Sequence, residues 1–283
     1  MSTLKSYKTY FTEQLSVVFP QTEIDTFFLF LIEEYLGLQR IDLVMQPNFE
    51  IPSEKEIILN EALSRLQKEE PIQYIIGKTE FYGFPFKVNR NTLIPRPETE
   101  ELVDWILNET TQDGRLKILD IGTGTGCIPI SISKNLTNAK VSAIDVSEEA
   151  LKTAKENALL NQVVIDLLHD DILTTNSLPK TYDIIVSNPP YVRNLEKEEI
   201  KNNVLENEPH LALFVDNHNP LIFYKKIADL AKKHLTKDGL LFFEINQYLG
   251  KETVAMLENK GFTNIELRKD IFGNDRMIKA SLL

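Results

Sequence analysis

The residues of this chain best suited to chemistry are Asn188-Pro189-Pro190-Tyr191. Prolines carry no N–H, so two rigid carbonyls stand there without competing donors, beside one amide and one aromatic ring. That group suits a flat, neutral NH2. Asn188 Oδ1 and the Pro189 carbonyl would accept its two protons while Tyr191 packs on its π face. A tight strand-to-loop turn uses the same residue types, so the tetrapeptide alone leaves both readings open.

A second cluster is Asp120-Ile121-Gly122-Thr123-Gly124-Thr125-Gly126. Glycines at every second position let the backbone turn sharply and approach a ligand closely. The spacing is not the dinucleotide pattern G-x-G-x-x-G, and no Gly-Lys-Ser/Thr follows as in a P-loop. Further on, Asp145 ends an apolar run, where a carboxylate could accept both ribose hydroxyls of an adenosine. Asp171 could take the adenine exocyclic amine, with Ile172 against the ring. Each has a structural alternative: Asp145 as a helix cap, although Ser147 is better placed, and Asp170 or Asp171 as surface loop acids. In this order the set describes S-adenosylmethionine better than a dinucleotide. His169, His210 and His218 show no partner pattern, so no metal is expected.

These groups need elements to hold them. Apolar runs at Leu116–Ile121, Lys140–Val146, Val163–Leu168, Tyr182–Ser187 and Leu240–Ile245 read as strands. Helical periodicity lies between them, at Ser147–Asn161, Pro220–Leu235 and Lys251–Lys260. Asn264–Lys269 and Met277–Leu282, separated by Gly273-Asn274, read as an antiparallel hairpin. Strand–helix alternation predicts a mostly parallel, doubly wound sheet, and its ligands belong at the carboxyl edge. Tyr182–Ser187 must stop at that edge because the prolines that follow cannot donate to a ladder.

Residues 1–70 read as a run of helices. The first carries Phe11, Leu15, Val18 and Phe19 and ends at Pro20. Thr22 is placed to cap the second, and Ser53 with Glu56 forms a capping box for the third. This segment has no ionisable cluster or glycine loop, which points to recognition or packing. Residues 71–97 change pattern: Gln73–Gly77 leads to Phe81-Tyr82, a Gly83-Phe84-Pro85 turn and Phe86-Lys87-Val88, a hairpin-like linker. Leu93-Ile94-Pro95-Arg96-Pro97-Glu98-Thr99-Glu100 then enters a helix.

The net charge of −11 argues against a duplex nucleic-acid substrate, whose affinity comes from clustered Lys and Arg. The single Cys127 excludes an internal disulfide and fits a reducing compartment. No signal-peptide core opens the chain and its longest apolar run, Phe27–Ile32, is too short for a bilayer, so a cytoplasmic protein without membrane attachment is expected.

Together these motifs resemble class I S-adenosylmethionine-dependent methyltransferases, and within them the HemK/PrmC family of protein-(glutamine-N(5)) methyltransferases. The resemblance also rests on Pro71-x-Gln73-Tyr74-Ile75-x-Gly77, Glu208-Pro209-x-Leu211-Ala212-Leu213 and Asp270-x-x-Gly273-x-x-Arg276, and it spans nearly the whole chain. It implies a Rossmann-like α/β domain over 98–283 with a seven-stranded sheet, preceded by a helical substrate-recognition domain over 1–70. It implies S-adenosylmethionine as cofactor, S-adenosylhomocysteine as product, and catalysis by Asn188, Pro189 and Tyr191. The implied substrate is the glutamine of a release factor's Gly-Gly-Gln tip, with the enzyme acting as a monomer. Phe214-Val215 stands where the family often has two glycines, Asn246 where it often has one, and Ile172 where it often has an aromatic residue. The rivals are an adenine-N(6) nucleic-acid methyltransferase, which shares the Asn-Pro-Pro-Tyr motif, a methyltransferase of a ribosomal-protein glutamine, and a non-catalytic S-adenosylmethionine-binding protein.

Overall fold

The computed structural model describes residues 2–110 and 115–282. They divide into two compact units. One holds the residues through Gly77 together with Asn202–Asn207, and the other holds the rest.

The first unit is helical: α1 (Leu4–Leu15), α2 (Gln21–Leu36), α3 (Asp42–Met45), α4 (Ser53–Leu66) and α5 (Ile72–Ile76). Leu4, Tyr7, Phe11 and Leu15 recur three or four residues apart, forming one buried stripe on α1. That stripe shares a core with Ile24, Phe28 and Leu31 of α2 and Leu59, Leu63 and Leu66 of α4. Two expected caps do not form. Thr22 lies inside α2, which starts after Pro20 with no side-chain cap. Ser53 likewise follows Pro52 as the first helical residue, and no box closes around it. Glu56 instead accepts from the Ser2 hydroxyl at 2.5 Å and the Ser2 N–H at 3.3 Å, a partner 54 residues away that no local pattern reveals. The stretch expected to lead into the hairpin is α5, stopped by Gly77 in the left-handed region at φ 76°.

The second unit opens with β1 (Lys78–Phe81) paired to β2 (Phe84–Lys87). Their turn is Tyr82-Gly83, both at positive φ (52° and 75°), the twist a two-residue hairpin needs. The turn therefore falls one residue earlier than the sequence suggests, and Pro85 sits within β2 opposite Glu80. After α6 (Pro97–Asn108) come β3 (Lys117–Ile121), α7 (Cys127–Asn135), β4 (Lys140–Asp145), α8 (Glu148–Leu160), β5 (Asp166–His169) and β6 (Tyr182–Ser187). After β7 (Val192–Arg193) the chain passes through α9 (Asn202–Asn207), which belongs to the first unit. The second unit then continues with α10 (His210–Leu213), β8 (Phe214–Val215), α11 (Ile222–His234), β9 (Leu235–Glu244), α12 (Gly250–Asn259), β10 (Thr263–Lys269) and β11 (Asp275–Ser281).

Among the described residues, seven strands form one sheet in the order β10-β11-β9-β6-β3-β4-β5. β11 runs antiparallel to both β9 and β10, and the other pairings are parallel. This is the doubly wound sheet with an antiparallel C-terminal hairpin that the alternation predicts. Side chains alternate across it, as period 2 requires. Ile184 and Val186 of β6 face the core built with Trp105, Ile106 and Ile130. Ile185 faces the opposite core, with Tyr224, Ile227 and Leu257. β5 starts at Asp166, since only Asp166–His169 pairs with β4. β9 starts at Leu235, five residues before its expected start, because a register shift lets Leu235 pair with Tyr182 ahead of Leu240 with Ile184. Phe214-Val215 pairs in parallel with Val192-Arg193 as a separate two-stranded ribbon. No helix among the described residues is long and apolar enough to cross a membrane.

Candidate active site

From β3 the chain adds β4 and β5 on one side and then returns to place β6 on the other. The strand order reverses between β3 and β6, and such a switch point opens a crevice at the carboxyl edge. The β6-β3-β4-β5 neighbourhood puts four strand ends in a row there. In that row stand Asn188 after β6, the glycine turn after β3, Asp145 at the end of β4 and Asp171 after β5.

A cavity of about 370 Å³ lies over these ends. Gly122, Thr123, Gly124, Thr125, Asp145, Asp171, Ile172, Asn188, Pro189 and Pro190 all line it, as the sequence reading groups them. Gly126 and Tyr191 are not in its lining. Gly126 caps α7 at φ 79°, and a Cβ on it would stand 3.0 Å from Ile130 Cδ1 and 3.2 Å from Ala154 Cβ, so it serves helix packing. Tyr191 is half-buried against the α11 core, and its hydroxyl donates to Glu244 Oε1 at 3.1 Å.

The loop is fixed by backbone bonds: Gly122 and Thr123 donate to the Ile144 carbonyl at 2.8 and 3.1 Å. Asp145 uses one oxygen to accept from Gly124 N–H at 2.8 Å and the other to accept from Ser147 N–H at 2.9 Å. It does not cap α8; the Ser147 hydroxyl does, accepting from Ala150 N–H at 3.2 Å. Burial raises the Asp145 pKa, and the Ser147 and Gly124 N–H groups oppose that shift. A carboxylate oxygen can take more than one donor, so Asp145 keeps acceptor capacity toward the cavity. Asp171 accepts from Leu173 N–H at 2.9 Å through Oδ1, closing a turn that presents Ile172.

Behind the loop lies Asp120, fully buried. Neither of its carboxyl oxygens, nor the Thr123 hydroxyl, has a hydrogen bond of ordinary geometry. Burial pushes the Asp120 pKa up to about 7, the Thr123 hydroxyl opposing and the Asp145 charge adding. Asp120 is not in the cavity lining, although its neighbours Ile121 and Thr123 are, so this orphaned carboxyl stands behind the wall.

Asn188 is held from the opposite wall. Its Nδ2 donates to Thr99 Oγ1 at 3.3 Å, and Thr99 donates to Glu244 Oε2 at 2.6 Å. A second fastening joins the flanking segments: buried Glu208 accepts from Arg96 Nη2 at 2.6 Å and from Ile94 N–H at 3.2 Å.

A protein from Flavobacterium psychrophilum, "Release factor glutamine methyltransferase", is 54% identical over 281 residues, covering 98% of this chain and 99% of its own. One of the same name from Bacteroides thetaiotaomicron is 44% identical, over 96% of this chain and 98% of its own. The chain belongs to the release factor glutamine methyltransferase family. The family profile "Methyltransferase small domain" matches residues 100–213, and "PrmC N-terminal domain" matches residues 9–77. In fold, a solved methyltransferase from Pyrococcus furiosus superposes with a TM-score of 0.52 at 18% identity, over 81% of this chain and 97% of that one.

Sequence reading misses several residues that this family member uses to build the site. Asn157 of α8 is fully buried, accepting from Lys87 N–H at 2.6 Å and donating to the Thr125 carbonyl at 2.9 Å. It fastens the glycine turn to β2, and nothing local marks it. Phe223 and Ile227 of α11 line the cavity, although their helical spacing reads simply as core. Glu244 carried a signal, an acid closing an apolar strand at the ligand edge. Thr99 stands inside the proline-rich motif, whose chemistry does not single it out.

Because the folded Asp120 pKa lies above the unfolded value near 3.9, its contribution is full below about pH 4 and is lost as pH rises to about 7. The melting temperature of Asp120→Asn relative to wild type should therefore climb between pH 4 and 7 and level off above, with an upper bound of about 4 kcal/mol. Thermal melts of the ligand-free protein across pH 4–8 check this. A constant difference would show that Asp120 does not carry the charge change.

Proposed function

We propose that this protein transfers the methyl group of S-adenosylmethionine to the side-chain amide nitrogen of the glutamine in a release factor's Gly-Gly-Gln tip. The observation that carries this reading is the row at the carboxyl edge. The glycine turn and two acids form one half of the cavity, and Asn188-Pro189-Pro190 forms the other. Relatives of nearly equal length carry the activity in their names. A release-factor substrate makes the site of action cytoplasmic and the physiological setting translation termination.

S-adenosylmethionine, when bound, supplies an electrophilic methyl on a sulfonium. The residues fit it: Asp145 offers acceptors for the ribose, Asp171 and Ile172 border the adenine with Phe223 supplying the aromatic surface, and the glycine turn admits the methionyl part.

An amide nitrogen is a poor nucleophile because its lone pair is delocalised. Asn188 Oδ1 and the Pro189 carbonyl accept its two N–H bonds, which turns the lone pair out of conjugation and toward the cofactor side of the cavity. The same two dipoles stabilise positive charge as the nitrogen becomes tetrahedral. Once methylated it releases one of its two protons to solvent, leaving the neutral N-methyl amide and S-adenosylhomocysteine, so no strong base is required. Tyr191 lies outside the cavity lining, so its part is to hold the end of the Asn-Pro-Pro turn through its bond to Glu244 rather than to stack on the amide. The helical unit, free of chemical motifs, provides the recognition surface for the release factor. Hydrogen exchange should show new protection within residues 2–77 when the release factor is added, and unchanged exchange there would remove that role.

Asp145→Ala should weaken S-adenosylmethionine binding at least a hundredfold, by loss of two charge-assisted bonds of about 1.5–3 kcal/mol each, with the fold kept. Near-native affinity by calorimetry would make Asp145 a loop anchor only.

The test of the whole reading is tritiated-methyl transfer to a release factor, to its Gln→Ala variant and to bulk nucleic acid. Label should enter the intact factor alone; label in nucleic acid would favour the adenine-N(6) rival. In single turnover at saturating cofactor and factor, Asn188→Ala should lose about 2.7–4 kcal/mol of transition-state stabilisation, roughly a hundred- to thousandfold in rate. A loss confined to cofactor affinity would remove its amide-activating role.

A further inference from the structure

The geometry points to Thr99 and Glu244 as positioning residues that decide which end of the Asn188 amide faces the cavity. The inference rests on the amide-activating reading of Asn188 above. An asparagine side chain is nearly symmetric in shape, and only one of its two orientations presents an acceptor to a substrate NH2. The other presents a donor, which would repel it.

The polarity of this chain of bonds follows from counting protons. Thr99 is 2% exposed and Glu244 1%, so solvent settles neither. A threonine hydroxyl has one proton to give. At 2.6 Å from Glu244 Oε2, Thr99 gives it to the carboxylate, the strongest acceptor within reach. Its oxygen is then left only as an acceptor toward Asn188, 3.3 Å away. The Asn188 group facing Thr99 must therefore be its NH2, and Oδ1 is left for the substrate. This conclusion does not depend on telling nitrogen from oxygen by shape.

Glu244 is committed from its other side as well. Tyr191 donates to Glu244 Oε1 at 3.1 Å, and the Tyr191 oxygen takes Arg276 Nη1 at 3.5 Å. Arg276 is itself fixed by Asp270 at 3.1 Å and by the Ile245 carbonyl at 3.3 Å. Two hydroxyls thus point their protons at one carboxylate, which satisfies both only while it keeps two acceptor oxygens. A glutamine there has one acceptor and one NH2. With its oxygen toward Tyr191, its NH2 would meet Thr99, turn that hydroxyl's proton to Asn188, and invert the amide.

The Thr99 side chain separates shape from polarity. Thr99→Val keeps the shape and removes the hydroxyl, whereas Thr99→Ser keeps the hydroxyl and removes a methyl. In single-turnover transfer to the release factor, Thr99→Val should lose about tenfold or more in rate, as misplacement of a reacting group does. Thr99→Ser should stay within about threefold of wild type, and S-adenosylmethionine affinity should change little in either. Glu244→Gln, if its melt shows a folded protein, should fall at least as far as Thr99→Val. In an Asn188→Ala background, Thr99→Val should cost nothing further, since the two act through one group. The inference is overturned if Thr99→Val keeps the wild-type rate, if Thr99→Ser falls as far as Thr99→Val, or if the Val loss persists in the Asn188→Ala background. Wild-type protein that transfers no methyl to the release-factor glutamine is a different result: it removes the functional reading, and this inference with it.

Discussion

A buried carboxylate that stays charged has to be surrounded by donors; one without them, like Asp120, is pushed toward its neutral form instead. Glu244 meets that constraint at the carboxyl end of β9. Burial raises its pKa, while the Thr99 and Tyr191 hydroxyls and the Arg276 charge oppose the rise. Its own backbone carbonyl takes the Tyr224 hydroxyl at 3.2 Å. These partners come from α6, from the turn after β6, from α11 and from β11, elements that are far apart in the chain. One charge therefore gathers the first helix of the large unit, the Asn-Pro-Pro-Tyr turn and the C-terminal hairpin around one strand end.

The sheet supplies the other half of the arrangement. A parallel strand must be followed by a crossover, so the carboxyl ends of β3, β4, β5 and β6 are all left on one edge. Parallel register then sets their spacing, with Ile121 beside Ile144 on one side and Ser187 on the other. Ser187 locks that last pair by donating its buried hydroxyl to the Ile121 carbonyl at 2.6 Å. The glycine turn and Asn188 are consequently held to each other by the sheet itself, before any ligand is bound.

This explains which parts of the molecule were legible in the sequence. Strand runs, the glycine turn and the proline stop are local patterns, and their meaning depends only on neighbours a few residues away. Asp145 was legible for the same reason, since a strand of known direction fixes where its last residue lies. Glu56, Asn157 and Glu208 were not, because each finds its partners 54, 70 and 112 to 114 residues away. Ser53 with Glu56 satisfied the local rule for a capping box, yet Pro52 started the helix and the N-terminal segment claimed the carboxylate. The hairpin turn was misplaced by one residue because Tyr82 takes a positive φ that its residue type disfavours, and only the pairing of β1 with β2 enforces it.

The same distinction bears on substrate choice. On the proposed reading, Asn188 Oδ1 and the Pro189 carbonyl would accept from any planar NH2, from a glutamine amide and an adenine amine alike. Selectivity must come from what surrounds the cavity. There, Leu93, Pro95 and Arg96 face Pro209, Leu211 and Ala212, two segments joined by the buried Glu208 through Arg96 and the Ile94 N–H. Four prolines line the cavity, Pro95, Pro189, Pro190 and Pro209, and none carries a backbone donor that a base edge would use. The apolar part of this wall, Leu93, Pro95, Pro209, Leu211 and Ala212, would suit the methylene stem of a glutamine. It offers a purine's ring nitrogens little in return for their lost water, and the chain's net charge of −11 gives a nucleic-acid backbone no general attraction to offset that cost.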